Sequence, residues 1–250
     1  MENKPFLIVS DLHLGAVPRN TEASFRDFVR AAADRASGLL INGDLFDFWF
    51  EYRSVIPRAH FRVLAALADL VDTGMPVYFV SGNHDAWVGD FLKDEVGLRL
   101  IEGPVEMEIA GRRTLVAHGD GLGTGDLGYR VLRAVIRHKL TTRAFRMLHP
   151  DWGIRIADRV SATEGRTGAE ITDAASGRAN FIRAWALEKL ETDPTLDMVV
   201  TGHAHVPELT EAFPNRYYVN AGDWINNFTY VEVPPGAGAP RLLRWPADSD

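Results

Sequence analysis

Cysteine is missing from these 250 residues. Its absence excludes disulfides and thiolate metal ligands, and it fits a reducing compartment. Long apolar runs are missing as well. Nothing approaches the roughly 18 apolar residues of a membrane-spanning helix. The stretch Phe6-Leu7-Ile8-Val9 stops at Ser10-Asp11, which suits a first buried strand better than a signal peptide. Nor is there a basic excess. The formal charge of -7 offers no general attraction to nucleic acid, and none is expected as a partner. Repeats and low-complexity tracts are also lacking. What is there is a chain with 46% hydrophobic residues, enough for one large domain spanning 1–250. Its expected location is the cytoplasm.

The first half alternates strand and helix patterns. Strands are expected over 6–10, 38–42 and 77–80, with helices over 22–35 and 57–71 between them. Phe25, Phe28, Val29 and Ala32 fall on one face of the first helix, and Phe61, Leu64, Leu67, Ala68 and Val71 along one side of the second. This β-α-β-α-β order implies parallel strands with helical crossovers, and open sheets of that kind place their sites at the carboxyl ends of the strands. Beyond residue 104 the pattern changes to short strands, starting with a hairpin around Ala110-Gly111. Two packed sheets with helices outside are expected, interrupted by a helical insert over about 127–190 that is too long for a loop.

Five short motifs carry the chemistry: Asp11-Leu12-His13, Gly43-Asp44-Leu45-Phe46-Asp47, Gly82-Asn83-His84-Asp85, His118-Gly119-Asp120 and Gly202-His203-Ala204-His205. Each follows an apolar run of strand type. Five of the eight histidines sit in them; His60, His138 and His149 lack such a context and are expected to be solvated or structural. Any one motif alone reads as an ordinary turn, but the set supplies carboxylate, imidazole and amide ligands for two neighbouring divalent cations such as Mn²⁺, Fe²⁺ or Zn²⁺. Two such ions activate water and clamp a phosphoryl group. In a strand, residues two apart share a face, so Asp11 with His13, and His203 with His205, are expected to converge. Asp44 is the natural bridge, and the glycines at 43, 82, 119 and 202 are expected to turn the chain inward.

These blocks, in this order, resemble the calcineurin-like metallophosphoesterase superfamily. The resemblance implies an α/β/β/α sandwich. It implies one ion on Asp11, His13, Asp44 and His205, and a second on Asp44, Asn83, His118 and His203. It further implies a catalytic pair in which Asp47 orients His84 and favours the protonated imidazole. Asp85 and Asp120 are candidates for holding the ligands in place.

Two features bear on substrate. The segment Phe46–Phe50 with Trp87 is strongly aromatic beside a ligand, suited to a base, a sugar or acyl chains, or to the core between the sheets. The tract 129–160 holds eight Arg or Lys against two Asp, a balance suited to an anionic membrane surface or equally to a solvated helix face. Within the superfamily the chain looks like the UDP-2,3-diacylglucosamine hydrolases of lipid A synthesis. That likeness rests on Asp11-Leu12-His13-Leu14, Gly43-Asp44-Leu45-Phe46 and His118-Gly119-Asp120-Gly121-Leu122 with Asp126 and Gly128-Tyr129-Arg130. It implies Mn²⁺-dependent cleavage of a pyrophosphate to UMP and 2,3-diacylglucosamine 1-phosphate, a helical lid over the acyl chains, and peripheral contact with the inner membrane. Asp126, Tyr129 and Arg130 then become candidates for substrate binding. One departure stands out: the best-known group of these enzymes has Arg where this chain has His84. A phosphodiesterase or pyrophosphatase for another nucleotide or nucleotide sugar is the alternative. A metal-poor binding scaffold is a third reading, opposed by the complete ligand set.

Overall fold

The computed structural model describes residues 4–122, 138–161 and 171–246. Its centre is a six-stranded sheet in the order β11-β10-β1-β2-β3-β4 against a five-stranded one in the order β5-β6-β7-β9-β8. In the first sheet β1 (Phe6–Val9), β2 (Gly38–Asn42), β3 (Val77–Val80) and β4 (Arg99–Ile101) run parallel. The antiparallel β10 (Thr229–Val233) and β11 (Arg241–Arg244) close its edge. In the second sheet β6 (Arg112–Val116), β7 (Met198–Thr201) and β9 (Arg216–Asn220) run parallel, flanked by β5 (Val105–Ile109) and β8 (Glu208–Phe213).

The period of two in β1 explains the layering. Leu7 and Val9 belong to the cluster facing the helices, with Phe25, Phe28 and Val29 of α1 (Arg19–Arg35) and Leu64 and Leu67 of α2 (Phe61–Asp72). Phe6 and Ile8 point the other way, to Val116, Val200 and Val219 of the second sheet. On the far side, Ala186 and Leu190 of α6 (Ile171–Thr192) pack on Val199 and Tyr218. The result is the expected four-layer α/β/β/α sandwich.

Beyond α3 (Phe91–Asp94), the expected insert contributes α4 (Lys139–Phe145), α5 (Pro150–Ser161) and α6. The last of these is shared: its C-terminal half is the outer layer of the second sheet. Phe145 of α4 anchors this cap on the core, with ring centroids 4.6 Å from Phe50 and 4.8 Å from Trp87. Gly153 in α5 is a close approach, since a Cβ there would lie 2.8 Å from the Tyr52 hydroxyl.

Candidate metal centre

Every motif lies just past a strand end, on loops that zip together. The backbone N–H of Asp11 donates to Gly43 O (3.1 Å), and those of Leu12 and His13 to Asp44 O (both 2.9 Å). Asp85 ties the third loop to the second, accepting from the N–H of Gly82 (2.7 Å) and of Leu45 (2.8 Å). The Asp11 carboxylate accepts the N–H of His203 across the gap between the sheets (2.9 Å).

Convergence comes from strained backbone rather than strand alternation. Asp11, His13, Asp44, His203 and His205 all have positive φ, between 48° and 64°, a region non-glycine residues seldom occupy and which clusters at functional sites. They turn after the strands end, so the two-residue spacing works through successive left-handed residues. The glycines divide likewise. Gly43 turns, at φ 84°. Gly82 instead makes room, because a Cβ there would sit 2.0 Å from Asp44 Oδ1.

Three overlapping groups bring their ligand atoms within 4.8 Å of one another: Asp11, His13 and His205; His13, Asp44 and His84; Asp44, His118 and His203. Asp44 is common to two of them and lies centrally. His118 Nδ1 donates to the carbonyl of Asn42 (2.9 Å), which aims Nε2 at Asp44 Oδ2, 3.1 Å away. His13 Nε2 lies 3.7 Å from Asp44 Oδ2 and 4.0 Å from Asp11 Oδ1. Buried, it has no hydrogen-bond partner among the described residues, nor has the amide oxygen of Asn83. Orphaned acceptors among buried carboxylates are what divalent cations satisfy, so the donor set fits two such ions.

The electrostatics agree. Burial acts to raise the Asp44 carboxyl, but the ring of His118 and the other imidazoles hold it well below the usual range. Burial acts against the His118 imidazolium, yet the Asp44 charge holds its pKa well above normal. Bringing a cation to this pair would compete with protonation of the ring, because a metal-bound imidazole nitrogen carries no proton. Burial and the neighbouring Asp44 push Asp85 up to about 7.

The predicted catalytic pair lies alongside. His84 Nδ1 donates to the backbone carbonyl of Asp47 (2.9 Å), with the Asp47 carboxylate 3.7 Å away. That carboxylate is nearer to His13 Nδ1, at 3.4 Å, so it serves two rings where the sequence suggested one. Of the aromatic segment, Phe46, Trp49 and Phe50 are buried in the core, whereas Phe48 and Trp87 are half-exposed beside Phe145. Asp126, Tyr129 and Arg130 lie outside the described residues, as do Arg133 and Arg137 of the basic tract.

A sandwich of this kind with such a cluster at the shared edge of its sheets defines a class, the metal-dependent phosphoesterases. The chain belongs to the calcineurin-like phosphoesterase family, whose model matches residues 4–207. Among similar proteins is one from Neisseria meningitidis named UDP-2,3-diacylglucosamine hydrolase. It is 32% identical over 242 residues, 94% of this chain and 96% of its own. Proteins of the same name from Escherichia coli (31% over 230 residues, 91% and 94%) and Porphyromonas gingivalis (29% over 238 residues, 89% and 91%) are also similar over nearly their whole length.

Proposed function

We propose that the protein hydrolyses the pyrophosphate of UDP-2,3-diacylglucosamine to UMP and 2,3-diacylglucosamine 1-phosphate, a step of lipid A synthesis. The observation that carries the reading is the convergent cluster at the sandwich edge, in a chain similar over nearly its full length to proteins named for that reaction. In it Asp11, His13, Asp44 and His205 would hold one divalent cation, and Asp44, Asn83, His118 and His203 a second, with Mn²⁺ the favoured metal. When bound, the ions supply an activated water and neutralise charge on the diphosphate.

The chain's own residues do the rest. With Nδ1 donating to the Asp47 carbonyl, His84 uses Nε2 toward substrate, holding a phosphoryl oxygen or giving a proton to the leaving group. The Asp47 carboxylate keeps both the His84 and His13 rings in register. The half-exposed rings of Phe48, Trp87 and Phe145 form an apolar wall suited to acyl chains. Asp126, Tyr129 and Arg130 are assigned to the sugar and phosphates.

The cap also suits peripheral contact with the inner membrane. Met147 (88% exposed), Trp152 (65%) and Leu140 stand out to solvent with the exposed Arg143, Arg146 and Arg155. No helix among the described residues is long and apolar enough to cross a membrane.

The test is UMP release from UDP-2,3-diacylglucosamine by Mn²⁺-loaded protein, beside His84→Ala and Asp44→Ala. Fast release that both variants lose supports the reading. No release, with bis(p-nitrophenyl) phosphate still hydrolysed, moves the enzyme to another phosphodiester.

A further inference from the structure

The turn after β9 holds a carboxylate that the metal reading leaves unused. Asp223 is 1% exposed. Its Oδ1 accepts the backbone N–H groups of Ile225 (2.9 Å), Asn226 (2.8 Å) and Asn227 (3.1 Å), which closes the turn. Its Oδ2 faces elsewhere, lying 3.6 Å from His205 Nδ1 and accepting from the Asn227 side-chain amide (3.1 Å). The same amide donates to the carbonyl of His205 (3.1 Å). One residue on, the N–H of Trp224 donates to the carbonyl of Asp11 (3.1 Å). The 223–227 turn therefore grips the backbone of two proposed ligands, and one carboxylate oxygen addresses the ring of one of them.

We propose that Asp223 is a positioning residue for the ion held by Asp11, His13 and His205. Its negative charge, 3.6 Å from Nδ1, favours the His205 tautomer that carries its proton there, so that Nε2, which lies 3.5 Å from Asp11 Oδ1, keeps its lone pair for the metal. The other half of the centre has a different support: His118 is backed by the neutral carbonyl of Asn42. Loss of the Asp223 charge thus weakens one ion and spares the other. The proposal rests on His205 being a ligand.

Asp223→Asn separates this role from turn formation. An Asn keeps Oδ1 for the three N–H groups but places an amide NH₂ opposite His205 Nδ1, where two donors cannot pair, and opposite the Asn227 amide; Asn227→Ala, run beside it, measures the share of that second contact. Mn²⁺ is titrated into metal-free full-length protein, with free Mn²⁺ read from its EPR signal. The expected result is one binding constant weakened about 10- to 100-fold and the other unchanged. The melting temperature of the metal-free variant falls no further than that of Asn227→Ala, and kcat recovers as Mn²⁺ is raised. Two unchanged constants overturn the proposal. So do two constants weakened together with a lower melting temperature, which would make Asp223 only a turn former. His205→Ala is run in parallel: if it too leaves both constants unchanged, the ligand reading fails and the proposal with it. If it weakens one constant while Asp223→Asn does not, only the proposal fails.

Discussion

The loops at the sandwich edge and the helices of the cap are built on opposite terms. At the edge, side chains are buried, the backbone is strained at five non-glycine residues, and buried polar groups answer one another across the gap between sheets. On the cap, Leu140, Met147 and Trp152 are exposed, and the described contact with the core runs through a few aromatic rings, Gly153 and one hydrogen bond from Arg146 to the Glu51 carbonyl. Strain of about 1–3 kcal/mol per residue persists only where surrounding packing over-determines it. The sheets supply that packing, so the chemistry sits on them. The cap has surface to offer instead.

The contrast breaks most sharply at Gly82. An added methyl would lie 2.0 Å from Asp44 Oδ1 and 2.7 Å from the Asp44 backbone nitrogen, and backbone cannot rotate away. Gly82→Ala is expected to displace the shared carboxylate. Activity should fall at least about a hundredfold, and stability by about 3 kcal/mol or more. Metal analysis with chemical denaturation checks it; a stable variant retaining two ions would show that the edge tolerates movement.

The same contrast explains what the sequence made legible. Strands at 38–42 and 77–80 are found as read, because their apolar runs are bounded by ligand motifs and turn residues. The five motifs could be read because divalent cations take particular residue types, and the structure brings Asp and His side chains from all of them together. How they converge could not be read. Positive φ at Asp11, His13 and Asp44 is imposed by pairing between loops about 30 residues apart in sequence, and no local propensity encodes it. Asp223 meets His205 only because β8 and β9 return the chain to it. Asp47 showed one partner in sequence, and in space its carboxylate also lies beside His13. β4 lies between Gly97 and Gly103-Pro104, but its three residues are too few for an alternation to stand out.

Histidines outside the motifs sharpen the comparison in solution. His138 and His149 of the cap region are exposed, whereas His60 is buried against Phe46 and Trp49. Burial lowers its pKa to about 4 despite the opposing charge of Asp47. Unfolding returns it to about 6.5, so the unfolded chain binds the extra proton between those values. Stability is then fully present above about pH 6.5 and is lost as pH falls toward 4. At pH 5 the loss from this group is about 2 kcal/mol. His60→Leu removes the linkage. Its stability relative to wild type, measured on metal-free protein, should improve by about that amount from pH 7 to pH 5. A constant difference across that range would mean that His60 charges in the folded state.

The smallest expected effect comes from a glycine of the cap, and its sign is opposite to that at Gly82. Gly177 lies in α6, is exposed, and has no described atom within 4 Å of where a Cβ would be. A helical glycine costs more backbone entropy on folding than alanine and adds no packing. Gly177→Ala should therefore stabilise the protein by about 0.5–1 kcal/mol, a rise of roughly 1–4 °C in melting temperature, with bis(p-nitrophenyl) phosphate turnover unchanged. One methyl group would then harm the edge and help the cap. If melting temperature fell instead, that stretch of α6 would be packed against something, and the cap would be as tightly built as the edge.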